Sequence, residues 1–231
     1  MSRFFISILY TFIFAISNGQ IAKDTVAVAI DSVKTIPKTP LKFRLGFDVG
    51  KFAFAQLNDS QSIDFTLDIN YKKYFVILEF GNEVKNIENS QLKFDVKGSY
   101  FRLGIDYDLY DNWKGMDNNI TLGLRYGYAY FDTNLYGYTI NQPNHAWQPQ
   151  YDTVNKPYDN LSANWLEIVS KVQVETFRNL YLGYSISFKY LLSYTNPDNF
   201  STIYIPGFFN KNSYSNIGFG MQYIISYQFN F

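Results

Sequence analysis

The chain of 231 residues contains no cysteine, which excludes a disulfide framework, thiolate chemistry and a lipidated N-terminal Cys. It contains one histidine, His145, so a His-rich metal site is excluded and histidine-based catalysis has a single candidate. Neither sign of charge predominates, since 20 Lys+Arg balance 20 Asp+Glu for a formal net charge of zero. A nucleic-acid binder needs a basic face to displace counterions, and no such excess exists here. Long apolar runs are also lacking. The run from Phe4 to Ile16 falls short of the roughly 20 residues a spanning helix requires.

Aromatic residues, by contrast, are abundant. They make up 20 % of the chain, with 21 Tyr and 22 Phe, yet the mean hydropathy is only −0.18. A bundle of apolar transmembrane helices would be more hydrophobic. A β-barrel with one lipid-facing side and one wet side accounts for both values.

The N-terminus has the form of an export signal. Arg3 precedes the apolar run Phe4 to Ile16, and Ser17, Asn18, Gly19 and Gln20 follow. A cationic start, a short greasy stretch and small residues at the −3 and −1 positions predict a signal peptide over residues 1–20, cleaved near Gly19 or Gln20. Residues 21–40, with Lys, Asp, Thr, Pro37 and Pro40, are expected to be a periplasmic linker, leaving residues 41–231 as the barrel.

From Leu41 onward apolar and polar residues alternate, the period of a half-buried strand. Ile120, Leu122, Leu124, Tyr126, Tyr128 and Tyr130 share one face, and Thr121, Gly123, Arg125, Gly127 and Ala129 the other. The last segment sets Ile217, Phe219, Met221, Tyr223, Ile225, Tyr227, Phe229 and Phe231 against Gly, Gln, Ser and Asn. Segments beginning near Phe43, Ile63, Tyr74, Phe101, Leu166 and Leu182 behave alike, although Phe75 and Ile77 interrupt the polar face of the third. These features predict an all-β, antiparallel up-and-down transmembrane barrel of about eight strands, because closure satisfies every backbone group in lipid.

A soluble lipocalin-like barrel would turn its apolar face inward around a ligand. An eight-stranded interior is only wide enough for side chains to fill it, and a ring of Phe and Tyr would crowd it. Reversing the faces would also place Arg and Lys in lipid, at about 2–4 kcal/mol each near the midplane. The charged face is therefore expected to line the lumen as a network of Arg44, Asp48, Asp64, Asp68, Arg102, Asp106, Arg125, Glu167, Lys171 and Lys189, with Glu79, Asp108 and Glu175 on the same face. On face assignment alone, Arg125→Leu is expected to be tolerated better than Leu124→Arg.

Connections at Tyr71–Lys73 and Thr176–Asn179 are short, Ser60 lies in a short connection and Gly81–Gln91 is moderate, whereas Asp132–Leu161 and Ser193–Tyr214 are long. With both barrel ends in the periplasm, the two longest connections fall outside. Tyr110–Asn119 is long for a periplasmic turn. The Tyr-, Asn- and Gln-rich stretch Leu135–Tyr158 has the composition of adaptable contact loops on a rigid scaffold.

Three stretches carry a family resemblance. Lys97-Gly98-Ser99-Tyr100-Phe101-Arg102-Leu103-Gly104-Ile105-Asp106-Tyr107, then Tyr110-Asp111-Asn112-Trp113-Lys114-Gly115-Met116, then Gly123-Leu124-Arg125-Tyr126-Gly127 resemble a family of small outer-membrane barrels of Bacteroidota. Pro197-Asp198-Asn199-Phe200 and Tyr204-Ile205-Pro206-Gly207-Phe208 are similar to it as well. That family carries only a domain-of-unknown-function label. The resemblance therefore implies location and fold and supplies no activity or catalytic residues.

The remaining residues offer little chemistry. His145, between Pro143 and Pro149, is read as a solvated loop residue, and Trp113 and Trp165 as interfacial anchors of an aromatic girdle. No catalytic, cofactor or metal residue is expected, and no enzyme. The expectation is a structural or interaction component of the bacterial outer membrane, in contact with lipid, another envelope protein and, through a final strand ending at Phe231, the barrel-insertion machinery. A narrow pore for ions or small solutes is the alternative.

Overall fold

The computed structural model describes residues 41–58, 60–112, 117–140, 150–197, 200–211 and 214–230. The expected signal peptide and linker, Trp113, His145 and Phe231 lie outside these residues. The elements are β1 (Lys42–Asp48), α1 (Val49–Leu57), β2 (Gln61–Tyr71), β3 (Tyr74–Glu88), β4 (Leu92–Asp108), β5 (Asn119–Ile140), β6 (Gln150–Phe177), β7 (Leu180–Tyr194), β8 (Tyr204–Ile205), β9 (Phe209–Asn210) and β10 (Ile217–Asn230).

Eight antiparallel strands close into a barrel in the order β1-β10-β7-β6-β5-β4-β3-β2. The ring is sealed by the first and last strands, from Lys42↔Asn230 to Asp48↔Ile224. Sequence neighbours pair throughout, and β8 and β9 form a separate two-stranded hairpin inside the long β7–β10 connection. Two of the turns are tight. Lys72 (φ 59°) follows Tyr71, and Asn179 (φ 64°) joins β6 to β7, the left-handed conformation that two-residue hairpin loops demand.

The pleat sorts the residues as period two requires. Leu103, Ile105, Leu124, Ile168, Leu182, Phe219 and Met221 are exposed on the outer face. Arg102, Asp106, Arg125, Glu167, Lys171 and Lys189 between them are buried in the lumen. This outer surface is a continuous apolar belt. On β4 it runs from Tyr107 to Phe101 before Ser99 and Lys97, and on β5 from Ile120 to Tyr130. The β5 stretch matches the roughly 9–11 residues a tilted strand needs to cross a bilayer, and the β4 stretch is shorter. A Tyr74–Tyr107 ring pair marks its edge at the end bearing residues 42 and 230, here termed the terminal end. An apolar surface of this extent is a membrane surface, and the fold is a transmembrane antiparallel barrel.

The structure departs from the sequence expectations in several places. The long connection Asp132–Leu161 is largely strand, because β5 and β6 keep pairing to Ile140↔Gln150. Gly81–Gln91 is strand as far as Glu88. The connection at Ser60 follows a helix rather than a simple turn, and α1 takes over where β1 was expected to continue through Val49. Trp165 is fully buried in the lumen rather than at the membrane interface.

The lumen also changes character along its length. Toward the terminal end most inward residues are charged or amide-bearing, with Phe75, Ile77 and Tyr181 buried among them. Toward the opposite end they become Phe94, Val96, Tyr100, Phe131, Leu135, Leu161 and Trp165, and the β8–β9 hairpin packs Tyr204, Ile205 and Phe208 among them. The expectation that a small barrel excludes inward aromatics fails there because small residues face the large ones. Gly127 shows the fit. A Cβ on it would lie 2.3 Å from the Trp165 ring.

Candidate functional site in the barrel lumen

The lumen holds three stacked layers of side chains. At the terminal end, Arg44 donates to Gln173 Oε1 at 2.5 Å, Gln228 Oε1 at 3.0 Å and Asn119 Oδ1 at 3.2 Å, and its guanidinium lies 4.0 Å from the Tyr181 ring centre. Asn119 in turn donates to Asp108 at 2.7 Å. Among the described residues Arg44 has no carboxylate within 4 Å, so its charge meets neutral oxygens and a ring face. Below it, just before β5, Asp117 accepts from Lys42 at 2.7 Å, Tyr181 at 2.9 Å and Gln228 at 3.3 Å. Partial burial pushes the Asp117 carboxyl up, but the Lys42 and Tyr181 hydrogen bonds outweigh it and hold the group below the usual carboxylate range.

The middle layer is ionic. Arg125 pairs with Glu79 and, at 2.9 Å, with Asp106. Arg102 pairs with Glu79 at 2.5 Å and reaches Glu167 at 3.7 Å and Asp64 at 3.8 Å. Lys171 meets Asp68 at 2.8 Å and Asp106 at 3.9 Å, and Lys189 approaches Glu167 at 3.6 Å. Each of these side chains is at most 4 % exposed. Charges buried this deeply are tolerated only when mutually compensated, and the alternation of sign around the ring supplies that.

The third layer joins the network to the aromatic plug. Lys51, from α1, donates to Asp64 at 3.0 Å and to the Tyr100 hydroxyl at 2.5 Å, and pairs with Glu83. Glu83 accepts from Tyr204 Oη at 2.7 Å and from the Gly207 N–H at 3.3 Å. Lys189 donates to the Gly207 carbonyl at 2.5 Å, and Trp165 Nε1 to Glu167 at 2.5 Å, with the Phe208 ring edge-on to Trp165 at 5.9 Å. Gly207 itself requires its φ of +77° and lies against Tyr100. The plug is thus clamped by one buried carboxylate and one buried ammonium.

Of the ten residues expected in the lumen network, the structure joins eight: Asp64, Asp68, Arg102, Asp106, Arg125, Glu167, Lys171 and Lys189. Arg44 stands apart in the amide layer, and Asp48 caps α1, accepting from the Lys51 N–H at 3.0 Å and the Tyr223 N–H at 3.3 Å. The sequence reading overlooked Lys51, Glu83, Tyr100 and the Tyr204–Phe208 segment. Glu83 continues the parity of Glu79, so its inward position was readable. Lys51 was not, because it reaches the lumen from a helix. Glu175 is only half-buried and accepts from the Asn179 N–H at 2.8 Å in the β6–β7 turn.

Chemically, the layer positions ionised groups against one another and leaves no hydroxyl beside an unpaired base. Among the described residues no group of three His, Asp or Glu could hold a metal ion. A structural likeness is shared with the attachment invasion locus protein Ail of Yersinia pestis, at 12 % identity and a TM-score of 0.35 over 82 % of this chain and 97 % of that one. It is shared also with a major outer membrane protein from Thermus thermophilus, at 14 % identity and a TM-score of 0.41 over 82 % of this chain and 98 % of that one. These likenesses are ones of general form and bear on no activity. No curated protein matches the chain. The model of the family described as a domain of unknown function (DUF6048) matches residues 1–231, and the chain belongs to that family.

Proposed function

We propose that the chain is a non-enzymatic outer-membrane β-barrel, exported by removal of residues 1–20, that serves as a structural or interaction component of a bacterial envelope, with a Bacteroidota envelope implied by the sequence resemblance. The observation that carries this reading is the filled lumen. The ionic layer and the inserted β8–β9 hairpin leave Arg125, Trp165, Lys189 and Phe208 at 1 % exposure or less. A path for ions would need hydrated space where these side chains pack. In this reading the terminal end, with its tight turns, faces the periplasm, and the β5–β6 hairpin extends outside, where Tyr138 and Tyr151 are exposed contact groups for another envelope protein. The final strand, ending at Phe231, addresses the barrel-insertion machinery.

The test is conductance of the purified, folded barrel in planar bilayers, alongside its migration in SDS with and without boiling. The expected outcome is a heat-dependent shift in mobility with no discrete conductance steps. Reproducible steps of constant size would replace this reading with the narrow pore.

A further inference from the structure

The wall between β10 and β2 is built from strands over only part of its height. β1 pairs with β10 as far as Asp48↔Ile224 and with β2 as far as Phe47↔Phe65. Residues 217–223 of β10 and 61–64 of β2 then flank a seam with no strand of the ring between them, and α1 packs there against both. Ile63 on one side and Phe219 and Met221 on the other are exposed, so the seam opens at the edge of the apolar belt. Strand edges at this depth need cover.

The cover is lightly attached. Asp48 caps α1, and the Tyr223 ring lies so close to Gly50 that a Cβ there would meet it at 2.8 Å. Past this first turn only Ala55 is buried, while Phe54 and Leu57 are 67 % and 83 % exposed. Among the described residues Lys51 is the one side chain of α1 that hydrogen-bonds to the barrel.

Two clefts meet beneath the end of α1 and share Ser60, Gln61 and Ser62. One, of about 380 Å³, lies on the outer side beside Phe52 and Ile63. The other, of about 410 Å³, lies on the lumen side against Phe54, Ala55, Ile87 and Phe209. Ser62 is 6 % exposed, and its hydroxyl has no hydrogen-bond partner among the described residues. The charges of the inner cleft are committed except one. Glu83 is held by Lys51 and Tyr204, and Glu88 by Lys93 at 2.9 Å. Lys85 lies 4.3 Å from the Tyr204 ring centre with no carboxylate within 4 Å among the described residues.

We infer that the seam is a lateral port and that its two clefts bind a free fatty acid from the adjoining leaflet, the acyl chain against Phe52, Phe54 and Ala55 and the carboxylate on Lys85. The inference rests on the membrane placement proposed above. Phe52, Phe54, Ala55, Ile63 and Ile87 give the otherwise polar clefts an apolar side for a chain, and the ammonium of Lys85, half-buried at the inner end, selects an anionic head.

The experiment titrates the full-length protein, in phosphatidylcholine vesicles, with the fluorescent fatty acid cis-parinaric acid and displaces it with palmitate or hexadecanol. Saturable binding of one probe per chain is expected. Lys85→Ala should weaken palmitate about tenfold, the value of one charge-assisted hydrogen bond, and leave hexadecanol unchanged. Ser62→Leu, which sacrifices no hydrogen bond, should block the junction and abolish binding. Both variants should keep the heat-dependent SDS shift. Non-saturable uptake, or binding by both variants equal to the unmodified protein, would overturn the port. Loss of the SDS shift in the unmodified protein would instead sink the membrane-barrel reading.

Discussion

Replacing Arg125 by Met keeps the length of the side chain and removes its charge from the centre of the lumen. Two carboxylates lose a partner, but unequally. Glu79 retains Arg102 at 2.5 Å, whereas Asp106 is left with Lys171 at 3.9 Å and the neutral Thr121 hydroxyl at 3.4 Å. Breaking a buried pair in this way costs about 3–5 kcal/mol, most of it from the stranded charge. Neutralising that charge should therefore restore stability. Asp106→Asn in the Arg125→Met background is expected to recover about 1–2 kcal/mol, and Glu79→Gln less, because Glu79 is still compensated. The assay is denaturant unfolding in lipid vesicles, with the folded fraction read from the SDS mobility shift. If Arg125→Met costs under about 1 kcal/mol, or if Glu79→Gln rescues it better than Asp106→Asn, the ionic layer does not carry the load assigned to it. Leu124→Arg, on the lipid face, should cost about 2–4 kcal/mol. The faces alone order Arg125→Leu as milder than Leu124→Arg, and the burial of Arg125 between its partners brings the two costs close, so their measured order weighs the ionic layer against the lipid face.

Three further outcomes are expected. Gly127→Ala should destabilise the barrel by about 1–3 kcal/mol in the same unfolding assay, since its Cβ would fall 2.3 Å from the Trp165 ring. Glu83→Ala removes the acceptor of both Tyr204 and the Gly207 N–H and should release the plug, seen as new protease cleavage within residues 195–216. Insensitivity there would show that Lys189 alone suffices. Asp117 has a lowered folded-state pKa, so its contribution is complete above the unfolded carboxylate value of about 3.9 and is lost as pH falls through the lower folded value. Amide exchange in residues 109–112 and 117–118 should accordingly accelerate only below about pH 4, and Asp117→Asn should flatten that dependence.

How much of this was legible in the sequence depends on where each residue's environment is decided. The pleat is local, so alternation from Phe43 to Phe229 identified the strands of the ring and the face of most lumen charges, Glu83 and the helix-borne Lys51 excepted. Trp165 carried the same signal. It shares the parity of Glu167, and the appeal to an aromatic girdle overrode a period that placed it inside. α1 was hidden because Phe43, Leu45, Phe47 and Val49 continue the alternation without a break. Only Asp48, three residues before Lys51, and the alanines at 53 and 55 hinted at a cap and a helix. The plug was hidden for another reason. Tyr204 to Phe208 is an apolar island in a polar connection, and what buries it is contributed by β3, β4, β5, β6 and β7, all but the last far from it in sequence.

The two missed elements explain each other. The interior of an eight-stranded barrel is just wide enough for its own inward side chains to fill, so a hairpin inserted into it needs room made in the wall. Ending β1 at Asp48 opens the wall at the far end and lets a helix bring Lys51 inward, where it neutralises Asp64 and Glu83. With its charge met, Glu83 can accept both hydrogen bonds that seat the hairpin. The shortened strand, the helix and the inserted plug are therefore one construction. Its cost in strand pairing falls where, among the described residues, the barrel meets lipid without a continuous sheet. That coincidence of a wall defect, a lightly held helix and an uncommitted ammonium is what directs the search for a ligand to the β2–β10 seam rather than to the sealed axis of the barrel.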